Sequence, residues 1–388
     1  MNRGNMNFIA KNIRQYSMFI ALLLIMTLAH ILTKGLFLTP RNLNNLFLQT
    51  GYIAVLAIGM VMVIVGGQID LAVGSIAAFC AAIAAFLQVR YNVGTVWVLL
   101  LALIIGMAVG TLQGAIIAYA KVPAFIVTLA GMMFFRGAVL AITSGNTLGP
   151  FLDSFYRLGS GYLPDIMGGG QFNVTALVLG FLLIVLLVIL QVNKRKKRIE
   201  YKFEVLSTGF FIAQQILLAG IIAFFAYNLS AYKGIPYTII IVALFFVLYS
   251  YITQHTKIGR SVYAIGGNTL AAELSGINVK FTTMMTFISM GVLSAVSGML
   301  IAARMNSASP STGTSFELEA IAASYVGGVS SRGGVGTVTG AVIGALVIAS
   351  INNCMSLLNA EVWLQYMVKG IVLVIAVLFD IMIRKKRG

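Results

Sequence analysis

Long apolar runs separated by short polar gaps recur along almost all of the 388 residues. They lie at roughly 17–38, 46–66, 72–89, 95–119, 122–143, 173–192, 209–229, 236–252, 283–303, 335–358 and 362–383. Most approach the ~20 residues that a helix needs to cross a bilayer core. A twelfth stretch, 317–331, is shorter and rich in small residues. The pattern predicts an all-α polytopic membrane protein of about 12 transmembrane helices, organised as one domain over 1–388. Composition points the same way, with 60% hydrophobic residues, 9% charged residues and mean hydropathy +0.98. A soluble domain of this length could not bury so much apolar surface. Arg3, Lys11 and Arg14 precede the first run as they would in a signal peptide. That run is long for such a peptide and no A-x-A site follows, so it reads as a span.

The net charge of +16 could suggest nucleic acid, but its distribution argues for topology instead. Basic clusters at Lys194–Arg198 and Arg384–Arg387, with the basic N-terminus, all favour the cytoplasmic side. Both termini are then inside, and an even number of crossings is required. The 317–331 segment must therefore cross, or re-enter deeply, as a short broken helix. Lys34, Arg41, Arg90, Arg157, Lys233 and Arg304 fall outside, while Arg136 and Lys369 fall within spans and read as snorkelling to an interface. The segment 144–172 becomes an extracytoplasmic loop carrying Asn146, Asp153, Arg157 and Asp165, of a length that usually gates or docks a partner.

Catalytic chemistry is sparse. Cys80 and Cys354 lie in apolar runs and read as buried thiols, and His30 and His255 are too few for a histidine metal site. The sequence contains no G-x-x-x-x-G-K-[ST] phosphate loop and no nucleophile–base arrangement, so no cofactor is expected and any ATP is hydrolysed elsewhere. Two glycine-rich polar breaks stand out, Gly66–Ser75 and Gly327–Gly336. Irregular backbone at membrane depth survives only against protein or a water-filled cavity. Gln68, Asp70, Asn146, Glu317, Glu319 and Arg332 are therefore candidates for a translocation path or gate, with a tight cytoplasmic turn as the plainer account of the breaks. For Asp70 the plainer account is a helix cap at the cytoplasmic surface. Gly336, Gly340 and Gly344 recur at four-residue spacing, which lets helices approach closely.

The most structured polar stretch is 254–282. Asn268 is a helix N-cap candidate, Thr269–Ser275 favours helix, and Gly276 can enter a left-handed cap. Gly266 and Gly267 would allow a sharp turn before it, and Leu270, Ala271 and Leu274 share one face. A two-turn helix outside the bilayer needs a surface to pack on.

The stretch 259–277, GRSVYAIGGNTLAAELSGI, resembles the cytoplasmic coupling loop of permease subunits of monosaccharide ABC importers of the ribose, xylose and galactose class. QIDLAVGS at 68–75, KVPAFIVTLAGM at 121–132 and ELEAIAA at 317–323 resemble the same family, so the resemblance covers nearly the whole chain. A hairpin inserted over 173–229, with Lys194–Arg198 at its tip, is similar to that of xylose or multiple-sugar permeases. The resemblance implies a ten-helix importer core plus that hairpin, in a bacterial inner membrane. It also implies a homodimer, a tandem-domain ABC ATPase and an extracytoplasmic sugar-binding protein as partners, besides membrane lipid. Gly259, Arg260, Tyr263, Gly266, Gly267, Asn268, Glu273, Ser275 and Gly276 would then couple the chain to the ATPase. An ion-coupled secondary transporter is the alternative, since charged residues within membranes are retained for function.

Overall fold

The computed structural model describes residues 13–168, 170–203 and 205–385. Arg3 and Lys11 lie outside them, as do the last three residues. The long helices follow the apolar runs: α1 (Ile13–Leu32), α2 (Pro40–Val65), α3 (Val73–Tyr91), α4 (Thr95–Tyr119) and α5 (Ala124–Thr143) come first. The short α6 (Asp153–Ser160) precedes the hairpin of α7 (Val174–Glu200) and α8 (Thr208–Ser230). Next are α9 (Tyr237–His255), α10 (Lys257–Gly267), α11 (Thr269–Leu274) and α12 (Val279–Met305). The chain closes with α13 (Phe316–Val326), α14 (Val338–Leu357) and α15 (Val362–Lys385). Among the described residues, nine of these helices are long and apolar enough to cross a membrane, and Met18–Leu32 and Val362–Ile375 are shorter apolar helices. The segment anticipated at 317–331 is α13, whose 11 residues rise only ~16 Å.

Side-chain caps start several helices where the sequence supplies the right residue. Asn173 Oδ1 accepts from Ala176 N at 2.9 Å, and Asn278 Oδ1 accepts from Phe281 N at 2.9 Å. Asn92 and Asn306 end α3 and α12 in left-handed conformations, which asparagine tolerates better than most residues.

The core forms around α2, almost wholly buried, with α12, α13 and α14 packed about it. α4 and α12 make the most extensive helix pair, and their backbones touch at Gly106 and Gly291. The four-residue glycine spacing acts as expected: Gly340 lies on the Gly327 carbonyl and Gly344 on that of Ala323, drawing α14 onto α13. Both cysteines are free and buried.

The described part of the 144–172 segment is built around α6. That helix buries Phe155, stacked on Phe151 with ring centroids 4.3 Å apart, and Gly159 lies against the α12 backbone at Arg304. Leu148 pairs with Ala308, and Tyr162 with Pro236. The α7–α8 hairpin is buried only near one end, at Thr175, Ala176, Gly180 and Asn228–Ser230. Lys194–Arg198 lies in the last turns of α7, which continues helical through it to Glu200. The extension is held by Arg195, which stacks over the Phe211 ring at 4.6 Å and donates to Thr208 Oγ1 at 3.2 Å.

Candidate functional site

Two polar regions stand out, ~20 Å apart along α2. The first is the pair α10–α11. Thr256 Oγ1 caps α10 by accepting from Gly259 N at 3.1 Å, and Asn268 Oδ1 caps α11 by accepting from Ala271 N at 3.0 Å. Gly276 takes φ +83° and ends α11, as its position suggested. The sharp turn expected at Gly266 and Gly267 is absent: both belong to α10, and the chain turns at Asn268, which is extended. Gly266 instead allows contact between backbones, since a Cβ there would overlap the Val65 carbonyl at the end of α2. Gly259 is used the same way against Ile252 and Thr253 of α9.

The expected apolar face of α11 is not covered by the rest of the described chain. Ala272 is its buried residue, whereas Leu270 and Leu274 are 67% and 81% exposed and Ala271 is exposed. Two leucines at a polar tip are left without an intramolecular surface. Glu273, Arg260 and Gly267 are exposed beside them. Arg260 Nη1 donates to His255 O at 3.2 Å, and Ser275 Oγ donates to Ala271 O at 2.8 Å.

Both glycine-rich breaks converge on this region. Gly334 N donates to Val65 O at 2.8 Å, and Tyr263 Oη donates to Gly336 O at 2.7 Å. Burial pushes the Tyr263 phenol above its ordinary range, so it remains a donor at neutral pH. The end of α2, the end of α10 and the 327–337 break thus form one joint around the Val65 carbonyl. Gln68 lies beside it with Val262 and Thr282, and Arg332 is exposed nearby in the second break.

Asp70 is not at a surface. It is 1% exposed, and its Oδ1 accepts from Ala72 N at 2.8 Å, two residues ahead. The neighbouring Ile69 carbonyl accepts from Thr128 Oγ1 of α5 at 3.4 Å. The carboxylate braces the break from inside the bundle, as buried polar groups require partners.

The second region lies between α2, α13, α14 and α15. Glu319, 5% exposed, accepts from Lys369 Nζ at 2.6 Å and Asn352 Nδ2 at 3.1 Å on one oxygen, and from Tyr52 Oη at 3.2 Å on the other. Lys369 therefore does not snorkel, being committed to an ion pair in the interior. Arg136 does not snorkel either: its Nη1 donates to the Thr312 and Pro310 carbonyls, at 2.8 and 3.2 Å, bracing the irregular segment before α13. Glu317 packs against Gly74, with one carboxylate oxygen buried and unpartnered.

The anticipated path residues are thus divided. Glu319 is in the cluster, Glu317 is on the same first turn of α13, Gln68 and Arg332 are at the α10 end, and Asn146 is exposed, its side chain donating to Ser144 O. Tyr52, Asn352 and Gln49 escaped notice in the sequence, and Arg304 was read only as an extracytoplasmic charge. Their one signal was a polar residue within or closing an apolar run.

The fold and these two regions define a polytopic membrane protein with an exposed two-helix polar tip and a polar cluster in its interior. The family described as "Branched-chain amino acid transport system / permease component" matches residues 42–377, and the chain belongs to that family. It is 40% identical over 375 residues to the xylose transport system permease protein XylH of Haemophilus influenzae, covering 97% of this chain and 98% of the relative. The XylH of Escherichia coli is 37% identical over 369 residues, covering 95% and 92%. The ribose import permease protein RbsC of Haemophilus influenzae is 32% identical over 366 residues, covering 93% and 91%. No solved structure matches the chain.

Proposed function

We propose that this chain is the membrane-spanning permease subunit of an ABC importer for a monosaccharide of the xylose and ribose class. The end-to-end similarity to xylose permeases at 40% identity carries this reading. The path is formed by the permease, and ATP binding and hydrolysis in a separate tandem-domain ATPase drive alternating access. An extracytoplasmic binding protein delivers the sugar, and a second copy of the chain completes a homodimer in the bacterial inner membrane. In this reading α10–α11 faces the cytoplasm, and Leu270 and Leu274 seat in a cleft of the ATPase while Glu273 meets a basic residue there.

Proteoliposomes holding the chain with its ATPase, and supplied with the binding protein, are expected to import D-xylose or D-ribose. Import should stop when ATP is removed and continue when a protonophore collapses the proton gradient; the reverse pattern would establish ion coupling. Leu274→Asp and Glu273→Arg should leave the chain in the membrane while reducing co-purification of the ATPase. Unchanged co-purification would remove α11 from the docking surface.

The hairpin is peripheral to this cycle, because it is buried at one end only. Removing 173–229 is expected to lower membrane abundance while uptake per inserted molecule stays near that of the full chain. Normal abundance with abolished uptake would place the hairpin in the transport cycle.

A further inference from the structure

The polar cluster around Glu319 surrounds a cavity of about 200 Å³, lined by Gln49, Tyr52, Arg304, Asn352, Gln365 and Lys369 together with Glu319 itself. That is smaller than the ~300–1,000 Å³ of drug-sized pockets and suits one small polar solute. Its chemistry is mixed. Lys369 is neutralised by Glu319, and Arg304 has no carboxylate at ion-pair distance among the described residues. Against these donors stand the Glu319 carboxylate and Asn352 Oδ1, which is buried without a donor although its Nδ2 is committed to Glu319. A hydroxyl both donates and accepts, so a molecule bearing several of them can satisfy the two sets together. An anion would meet the carboxylate and the unpaired amide oxygen, and a cation would meet Arg304 and Lys369. The cavity also lies far from the docking element: Tyr52 is 13 residues, or ~20 Å, along α2 from Val65.

We propose that this cavity is a binding site for one neutral monosaccharide, held between Asn352 and Glu319 on one side and Arg304 on the other. The proposal rests on the sugar-permease reading, and on that reading's topology the site belongs to the extracytoplasmic half. There it receives the sugar before the path opens inward. A pyranose hydroxyl supplies the donor that Asn352 Oδ1 lacks, and the ion pair between Glu319 and Lys369 fixes the carboxylate that faces the sugar.

The test uses the full-length chain in lipid nanodiscs, with D-xylose and D-xylonate as probes in equilibrium binding. Wild type is expected to bind D-xylose more tightly than D-xylonate. Asn352→Leu, which removes the free amide oxygen together with a hydrogen bond to Glu319, and Gln365→Leu, which leaves the hydrogen bonds of the ion pair in place, should each raise the Kd about tenfold, equivalent to ~1.4 kcal/mol. The Gln365 side chain donates to the Ala360 carbonyl at 2.9 Å and stands clear of the ion pair, so its variant carries the test should Asn352→Leu unfold early. Wild-type affinity in a folded variant would overturn the site, as would tighter binding of D-xylonate. Undetectable binding to a chain whose complex imports D-xylose would overturn the site and leave the permease reading standing. Failure of the complex to import any pentose would remove both.

Discussion

Gly266→Ala is expected to abolish most sugar uptake, whereas Gly276→Ala, ten residues on, leaves most of it intact. The two glycines are there for different reasons. At Gly266 the obstacle is the Val65 carbonyl and the Gly334 amide, both backbone and unable to rotate aside. Overpacking of this kind costs ~1–3 kcal/mol even in forgiving cores. Here it also displaces the amide of Gly334 from Val65 O, so the joint between α10, α2 and the second break opens. At Gly276 nothing lies within 4 Å of a new Cβ, and the penalty is the left-handed backbone alone, ~1–2 kcal/mol. That strain falls on an exposed cap and leaves the joint closed. Uptake and co-purification of the ATPase, measured together, check the pair. Wild-type uptake by Gly266→Ala would mean that force from α10 does not pass through Val65.

Lys369→Met should produce the largest loss of thermal stability. It leaves Glu319, 5% exposed, with its carboxylate facing only Tyr52 and Asn352. Breaking a buried pair by removing one partner typically costs ~3–5 kcal/mol, whereas replacing both partners is often close to neutral. The double variant Glu319→Gln/Lys369→Met is therefore expected to recover most of the stability. Thermal unfolding in detergent or nanodiscs reads both. A single variant as stable as wild type would show that the pair does not hold α15 to α13.

Much of the architecture was legible because its causes are local. Apolar run length predicted the spans, charge asymmetry required a twelfth element where α13 stands, and Asn268 and Gly276 marked the limits of α11. What escaped depends on residues distant in sequence. Glu319 meets Lys369 across 50 positions and Tyr52 across 267, and neither separation leaves a periodic trace. Lys369 looked like a charge reaching for the interface because its partner could not be seen. Gly266 looked like a turn residue because a glycine inside a helix and one in a bend read alike until the neighbouring backbone is placed.

The 27-residue α12 begins three residues after the α11 cap and ends beside Arg304 in the polar cavity, one unbroken rod of ~40 Å. If ATPase docking at one end changes sugar affinity at the other, thermodynamic linkage makes the effect mutual. Whatever factor the ATPase imposes on the sugar, a bound sugar must impose on the ATPase. An occupied cavity would therefore report itself across the membrane as a changed affinity for the motor, before any ATP is spent.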